Sequence, residues 1–409
     1  MRARTPITMW IAAFWLITMD IPTRLGLGPL ATVTNLAMVV GVTILLWPVR
    51  DGGRDAWLEP RLTARRSVPW SMWVFLIYAF VRLAVDFSAA GMQNVLLYAT
   101  FVFTIVATTV QISAGTARVW LPRLASITVA TSAVYLAAVL ITGPDTDVVW
   151  TARLFAATQL VGVCIMVPVV TRNLWSVTRL GVVVLAIASS LSRTAMAVSW
   201  LLLAFLAVRR PTIGAALRTA AMVLLVAIVG IWAIENIPAI SARFTSNDNA
   251  SLFGLDIGTT GRAALWAVAT ESWQNGSVLF GNGPGSVQAV LSEQFGAANG
   301  NPHNEYLRIL HDYGIVGLAL LSIAMAHIVA RIFKAWAADA GTERAVVHQS
   351  ALAAIVVLVL MATTSNITVY IFCMAPIGAI IGLSLGSEHL SSATVTSTHP
   401  GVRLRSTKS

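Results

Sequence analysis

Long apolar runs, broken by short polar stretches, cover most of the 409-residue chain. A bilayer core of about 30 Å needs roughly 20 apolar residues in a helix. Windows near that length fall at 7–22, 29–49, 70–87, 94–113, 121–142, 152–171, 177–191, 194–208, 213–234, 312–333, 346–364 and 366–386. The pattern predicts an all-α integral membrane protein of about twelve transmembrane helices. The windows 177–191 and 194–208 are short and separated by "SRT", which predicts a break at the membrane surface rather than a full loop.

The spacing divides the chain into helices one to nine (1–234), a large loop (235–311), helices ten to twelve (312–386) and a tail (387–409). The tail is Ser/Thr-rich and is expected to be disordered. Inside the loop, "SNDNAS" (246–251) has low potential for order. It is followed by "TTGRAALWAVATESWQNG", where Thr260 suits an N-cap and Leu265, Trp266, Ala269 and Trp273 recur at helical spacing. Two tryptophans on one face predict a helix lying at the membrane interface. The turn-rich "GNGPGS" (281–286) then leads to a second short helix at 287–295.

Composition sharpens this reading. Apolar residues make up 57% of the chain and charged residues only 11%, with a mean hydropathy of +0.78. A soluble domain carries about 25% charge. The net charge of +10 suggests nucleic acid until its placement is read. With the N-terminus in the cytoplasm, 20 of the 27 basic residues fall on inner segments, which puts both termini inside and the large loop outside. The excess is a topology signal and an attraction for anionic lipid heads, not a nucleic-acid footprint. The basic then apolar start "MRARTPITMWIAAFWLITMDIP" resembles a signal peptide, but no small-x-small site precedes Asp20, so a retained first span is expected. Cys164 and Cys373 lie within apolar runs, which argues against a structural disulfide.

The seven remaining cations are Arg24, Arg82, Arg153, Arg193, Arg243, Arg262 and Arg308. Arg24 and Arg153 read as side chains snorkelling to headgroups. Arg82 and Asp86, one helical turn apart, pair most simply with each other. Arg193 sits between two runs too short to leave a roomy loop, and a charge at membrane depth faces the protein interior or a cavity. Arg262 falls in the first turn of the loop helix. Free N–H groups there, with a guanidinium fork beside them, suit a phosphate-like anion. His303, in "NPHNEYL", is able to accept or donate a proton near neutrality. Asn304 can orient a neighbour, Glu305 is a second candidate base, and Tyr306, Arg308 and Arg82 complete the candidate substrate contacts. "DTD" (145–147) imitates a metal motif but reads as two acids in a short loop, and "GNGPGS" lacks the strand and Lys-Ser/Thr of a nucleotide loop. No His-Glu-x-x-His or Cys-x-x-Cys pattern occurs, so no metal site is expected.

Together, "SRT", "GR…W", "GNGPGS" and "PHNEYL…YGIVGL", in that order around one large outward loop, resemble the O-antigen ligase and polymerase superfamily. These are bacterial polytopic membrane glycosyltransferases that use polyprenyl-diphosphate-linked glycans. The resemblance covers about 185–330 and is topological elsewhere. It implies catalytic roles for His303, Arg193 and Arg262, and metal-independent, inverting transfer without a cofactor. The implied partners are a polyprenyl-diphosphate-linked glycan, a glycan or lipid acceptor and membrane lipids. The implied place is the outer face of the cytoplasmic membrane. The chain departs from the common pattern at "HDYG", where His311 and Asp312 stand in place of a glutamate before the glycine. A transporter or flippase of lipid-linked oligosaccharide is the rival from another class, and a membrane scaffold is a third. Against the transporter, no paired half-repeats are evident, spans 213–234 and 346–364 carry no charge before their ends, and the ionisable groups gather at one surface.

Overall fold

The computed structural model describes residues 68–111, 114–143, 152–169, 174–206, scattered positions in 212–236, 249–252, 255–258, 262–296 and 300–396. The windows 7–22 and 29–49, "DTD", Arg24, Arg243, Thr260 and the side chain of Arg153 lie outside the described residues, as does most of 213–234.

The elements are α1 (Trp70–Val85), α2 (Ala89–Gln111), α3 (Ala114–Thr142), α4 (Ala152–Val169), α5 (Leu174–Ser189) and α6 (Arg193–Leu206). A hairpin, β1 (Asn249–Leu252) with β2 (Leu255–Gly258), precedes α7 (Arg262–Gln274) and α8 (Ser286–Phe295). Then come α9 (Glu305–Ala338), α10 (Glu343–Met361), a 3-10 turn at Ile367–Val369 and α11 (Ile371–Thr396). Every apolar window from 70–87 to 194–208, and each of the last three, coincides with a helix. Four helical spans, Ala89–Thr109, Leu121–Thr142, Glu305–Ala338 and Glu343–Met361, are long and apolar enough to cross a membrane, with shorter apolar helices beside them.

Three expectations change. The stretch expected to lack order contributes Asn249–Leu252 to an antiparallel hairpin, the one strand pair among the described residues of an otherwise helical chain. The closing helix begins at Glu305, ahead of the apolar run, because Asn304 caps it through a hydrogen bond from the Leu307 N–H (3.1 Å). The final helix continues past Ser387 to Thr396.

Helix α10 is the axis of the bundle. Seventy-two per cent of its apolar window is buried, against 22% for α9, and it touches α4, α6, α9 and α11. Helices α2 and α11 run together closely because α11 presents Gly378, Gly382 and Gly386 to α2. Thr109 Oγ1 bonds the Gly382 carbonyl (3.2 Å), and a Cβ on Gly382 would come within 1.9 Å of Thr108 Oγ1. Small residues that allow such approach replace hydrophobic attraction where the solvent is itself apolar. Cys164 and Cys373 are buried and unpaired, as expected. Gly382→Leu is expected to cost about 1–3 kcal/mol through overpacking. A lower apparent Tm in detergent than wild type, with Gly181→Leu as a control that meets nothing within 4 Å, checks this.

Candidate functional site

The loop end of the bundle is organised by a break in α9. Gly314 takes φ 68°, ψ −171°, outside the helical region, and its neighbours' backbone groups bond to the loop instead of to each other. Ile315 and Val316 N–H donate to the Val278 and Leu279 carbonyls (3.1 Å each), while Asn282 N–H donates to the His311 carbonyl (2.8 Å). A Cβ on Gly314 would meet the Leu279 carbonyl oxygen at 2.2 Å, so the approach needs glycine. The "GNGPGS" segment thus wedges between α9 and the α1–α2 corner, where Ser88 Oγ donates to the Pro284 carbonyl (2.7 Å).

Asp312 and His311, the two residues at which the sequence departs from the familiar pattern, hold this wedge. The fully buried Asp312 carboxylate accepts the Gly285 N–H (2.9 Å), the Val287 N–H (3.1 Å) and the Ser286 hydroxyl (3.1 Å) at the start of α8. An anion suits that helix N-terminus. The buried His311 ring lies within hydrogen-bond distance of Ser286 Oγ and Ser272 Oγ (3.1 Å each). Arg82 pairs with Asp86 (2.7 Å), as its spacing predicts, and also donates to the Gly281 carbonyl (3.0 Å). It is a strut under the wedge.

Three helix starts converge on one turn at the end of α10. Arg262, first residue of α7, donates from Nη1 to the Thr364 carbonyl (2.7 Å). Thr364 Oγ1 donates to Thr194 Oγ1 (2.8 Å), in the residue after Arg193 at the start of α6. Glu305, first residue of α9, donates its N–H to the Ala362 carbonyl (2.8 Å). The α5–α6 connection is the three residues Ser190–Ser192, with Leu191 at φ 53°, so the break is as short as expected but lies one step ahead of "SRT", whose Arg193 and Thr194 open α6. Arg193 and Arg262 are therefore tied to the same turn from separate helices.

His303 stands beside this turn in a left-handed backbone conformation, φ 52°. Such a state for a non-glycine residue costs on the order of 1–3 kcal/mol and persists only where its surroundings enforce it. On one side the Trp266 indole donates to the Pro302 carbonyl (2.7 Å); on the other, Asn304 caps α9. The tryptophans of α7 are half-buried and bonded to protein carbonyls: Trp273 donates to the Val278 carbonyl (3.2 Å), and Leu265 and Ala269 pack on Val287 and Leu291 of α8.

Glu305 and Arg308, read from sequence as substrate contacts, are buried at 1% and 2% exposure and form an ion pair. Arg308 also donates to Tyr98 (2.8 Å) and Thr368, and Thr368 donates to the same Glu305 oxygen, Oε2. Tyr306 remains half-exposed and donates to the Val359 carbonyl (2.9 Å). Thr364, Tyr98 and Thr368 had no signal in the sequence, since each acts through a partner 60 to 210 residues away. Among the described residues no group of three His, Cys, Asp or Glu side chains is arranged to hold a metal.

Residues 178–322 match a family model described as O-antigen ligase. The matched segment runs from α5 into α9 and includes Arg193, Arg262, His303 and the whole wedge. No curated protein matches the chain. The match supports the O-antigen ligase/polymerase superfamily, and the four long apolar helices beside it suggest an integral membrane protein.

Asp312→Ala is expected to strand two buried N–H groups and a hydroxyl, at a cost of about 1–3 kcal/mol for each unsatisfied group. Faster limited proteolysis within 276–300, compared with wild type in the same detergent, is the readout; unchanged protection would deny Asp312 its anchoring role.

Proposed function

We propose, with the O-antigen ligase match over residues 178–322 as premise, that the protein is a glycosyltransferase of the cytoplasmic membrane. It moves a glycan from a polyprenyl-diphosphate carrier to an acceptor hydroxyl on the outer face, as a polymerase or a ligase. The observation that carries the reading is the shared turn: the starts of the Arg193 helix, the Arg262 helix and the His303–Glu305 segment are all bonded to Ala362–Thr364.

Helix N-termini carry partial positive charge and unsatisfied N–H groups, and guanidinium forks match phosphate oxygens. Three such starts with two arginines suit a diphosphate better than a neutral ligand. In the reaction the acceptor oxygen attacks the anomeric carbon from the face opposite the diphosphate. The carbon–oxygen bond to the diphosphate breaks, and its electron pair leaves on the diphosphate oxygen. A single displacement of this kind inverts the anomeric configuration. Arg193 and Arg262 stabilise the negative charge that develops on the leaving group. His303 takes the acceptor proton, or orients the hydroxyl that loses it. The enforced left-handed backbone at His303 fits a group held for a geometric task. Glu305 is less suited to be the base, since its Oε2 is already bonded to Arg308 and Thr368.

His303→Ala, Arg193→Ala and Arg262→Ala are each expected to lower transfer by roughly 100-fold or more while the protein still reaches the membrane. Transfer from a lipid-diphosphate glycan in reconstituted vesicles is the assay, and full activity in any two variants overturns the assignment. Arg262→Lys, which keeps the charge and loses the fork, is expected to recover only part of the activity. Transfer is expected to survive EDTA; loss on chelation would call for a metal instead.

A further inference from the structure

A cavity of about 320 Å³ lies between α1, α2, α9 and α10, within the size range of small-molecule sites (about 300–1,000 Å³). Its walls are apolar: Met72, Phe101, Leu318, Leu321, Met325 and Ile355 are among the lining side chains. On α9 the lining positions 318, 321, 322, 325, 326 and 329 follow helical spacing, so they form one stripe. At about 1.5 Å per residue that stripe runs some 16 Å down the helix, which suits an extended chain rather than a compact ligand. Ser322 and Ala326 are exposed, as is the rim at Tyr306 (38%) and Val359 (44%), so the cavity opens sideways along the apolar flank of α9.

Its other end is polar. Glu305, Tyr98 and Thr368 close it off at the loop end of the bundle. Glu305 Oε2 is bonded to Arg308 and Thr368, but Oε1 is buried and has no hydrogen-bond partner among the described residues. A buried carboxylate oxygen without a donor is costly, so what completes this end should donate a hydrogen bond. A lipid phosphate has no proton to spare at neutral pH and would meet a carboxylate of like charge. A hydrocarbon chain alone would leave the oxygen unbonded. A hydroxyl donates one hydrogen bond and brings no charge.

We propose that this cavity binds a single-chain lipid alcohol, its chain along the α9 stripe and its hydroxyl donating to Glu305 Oε1. The cavity adjoins the proposed transfer site, sharing Glu305 and Ala362 of its turn, but neither arginine nor His303 lines it, and the binding does not rest on that reading.

The test uses the full chain in lipid nanodiscs and a long-chain alcohol carrying a photoreactive diazirine on its chain. The control probe is the same chain ending in a methyl ether, which has no proton to donate. The alcohol is expected to label peptides within 318–329 and 355–359 at least tenfold more than the ether does. Ala326→Trp, at an exposed position on the lining stripe, fills the groove without disturbing the core and is expected to cut the labelling about tenfold. Glycan transfer measured on the same variant keeps a failure of the transferase reading separate from a failure of this one. Equal labelling by alcohol and ether, unchanged labelling in Ala326→Trp, or preferential labelling by a lipid diphosphate of the same chain would each overturn the proposal.

Discussion

The turn after α10 is the constraint on which the loop end depends. A helix C-terminus leaves carbonyl oxygens unsatisfied and carries partial negative charge. In a membrane bundle water is not there to relieve them, so donors must come from the protein. Ala362 takes the backbone N–H of Glu305, and Thr364 takes the guanidinium of Arg262. Donors of opposite sense, a helix start and a cation, meet a helix end. That complementarity gathers segments separated by more than a hundred residues, and it does so with α10, the most enclosed span, as the fixed post.

The arginines of this end separate into two kinds. Arg308 is buried with its countercharge three residues away in Glu305, and its donors go to Tyr98 and Thr368. A buried pair of this type offers no net charge to a ligand; losing either partner would leave the other charge stranded. Arg82 is likewise spent, on Asp86 and the Gly281 carbonyl. Arg262 is bonded to the Thr364 carbonyl, a contact that fixes where its guanidinium sits. The sequence already paired Arg82 with Asp86 and set Arg262 apart; the burial of Arg308 against Glu305 is what the structure adds.

Much of the architecture was legible in the chain because its signal is local. The apolar windows from 70 to 208 and from 312 to 386 coincide with helices, the expected break near "SRT" is the short connection Ser190–Ser192, and 287–295 falls within Ser286–Phe295. The start of α9 was misplaced because its first turn, Glu305–Arg308, is polar in composition yet buried by an internal ion pair. Hydropathy does not register a charge that is cancelled by its neighbour. The tryptophan stripe of α7 was legible from its spacing, but the Pro302 and Val278 carbonyls that its indoles bond are remote or across a turn and leave no mark in that spacing. Arg193, Arg262 and His303 were singled out from motif order, whereas Thr364, which joins two of their helices, has nothing in its own neighbourhood to mark it.

The large loop is not an appendage on the bundle. Its wedge replaces part of α9's own hydrogen bonding at Gly314, so the helix break and the loop seat are one structure. Helix α7, which carries Arg262, is therefore fixed at both ends. Near its start Trp266 is bonded to the residue before His303, and near its end Ser272 and Trp273 are bonded into the wedge. Two attachments resist the rotation that a single one would allow. Transfer chemistry depends on placing groups to within a fraction of an ångström, and rigid elements with supporting bonds achieve that better than free loops. The polar residues that look most like reactive groups beside the wedge, His311 and Asp312, are thus the ones whose hydrogen bonds hold the start of α8 and the far end of the Arg262 helix.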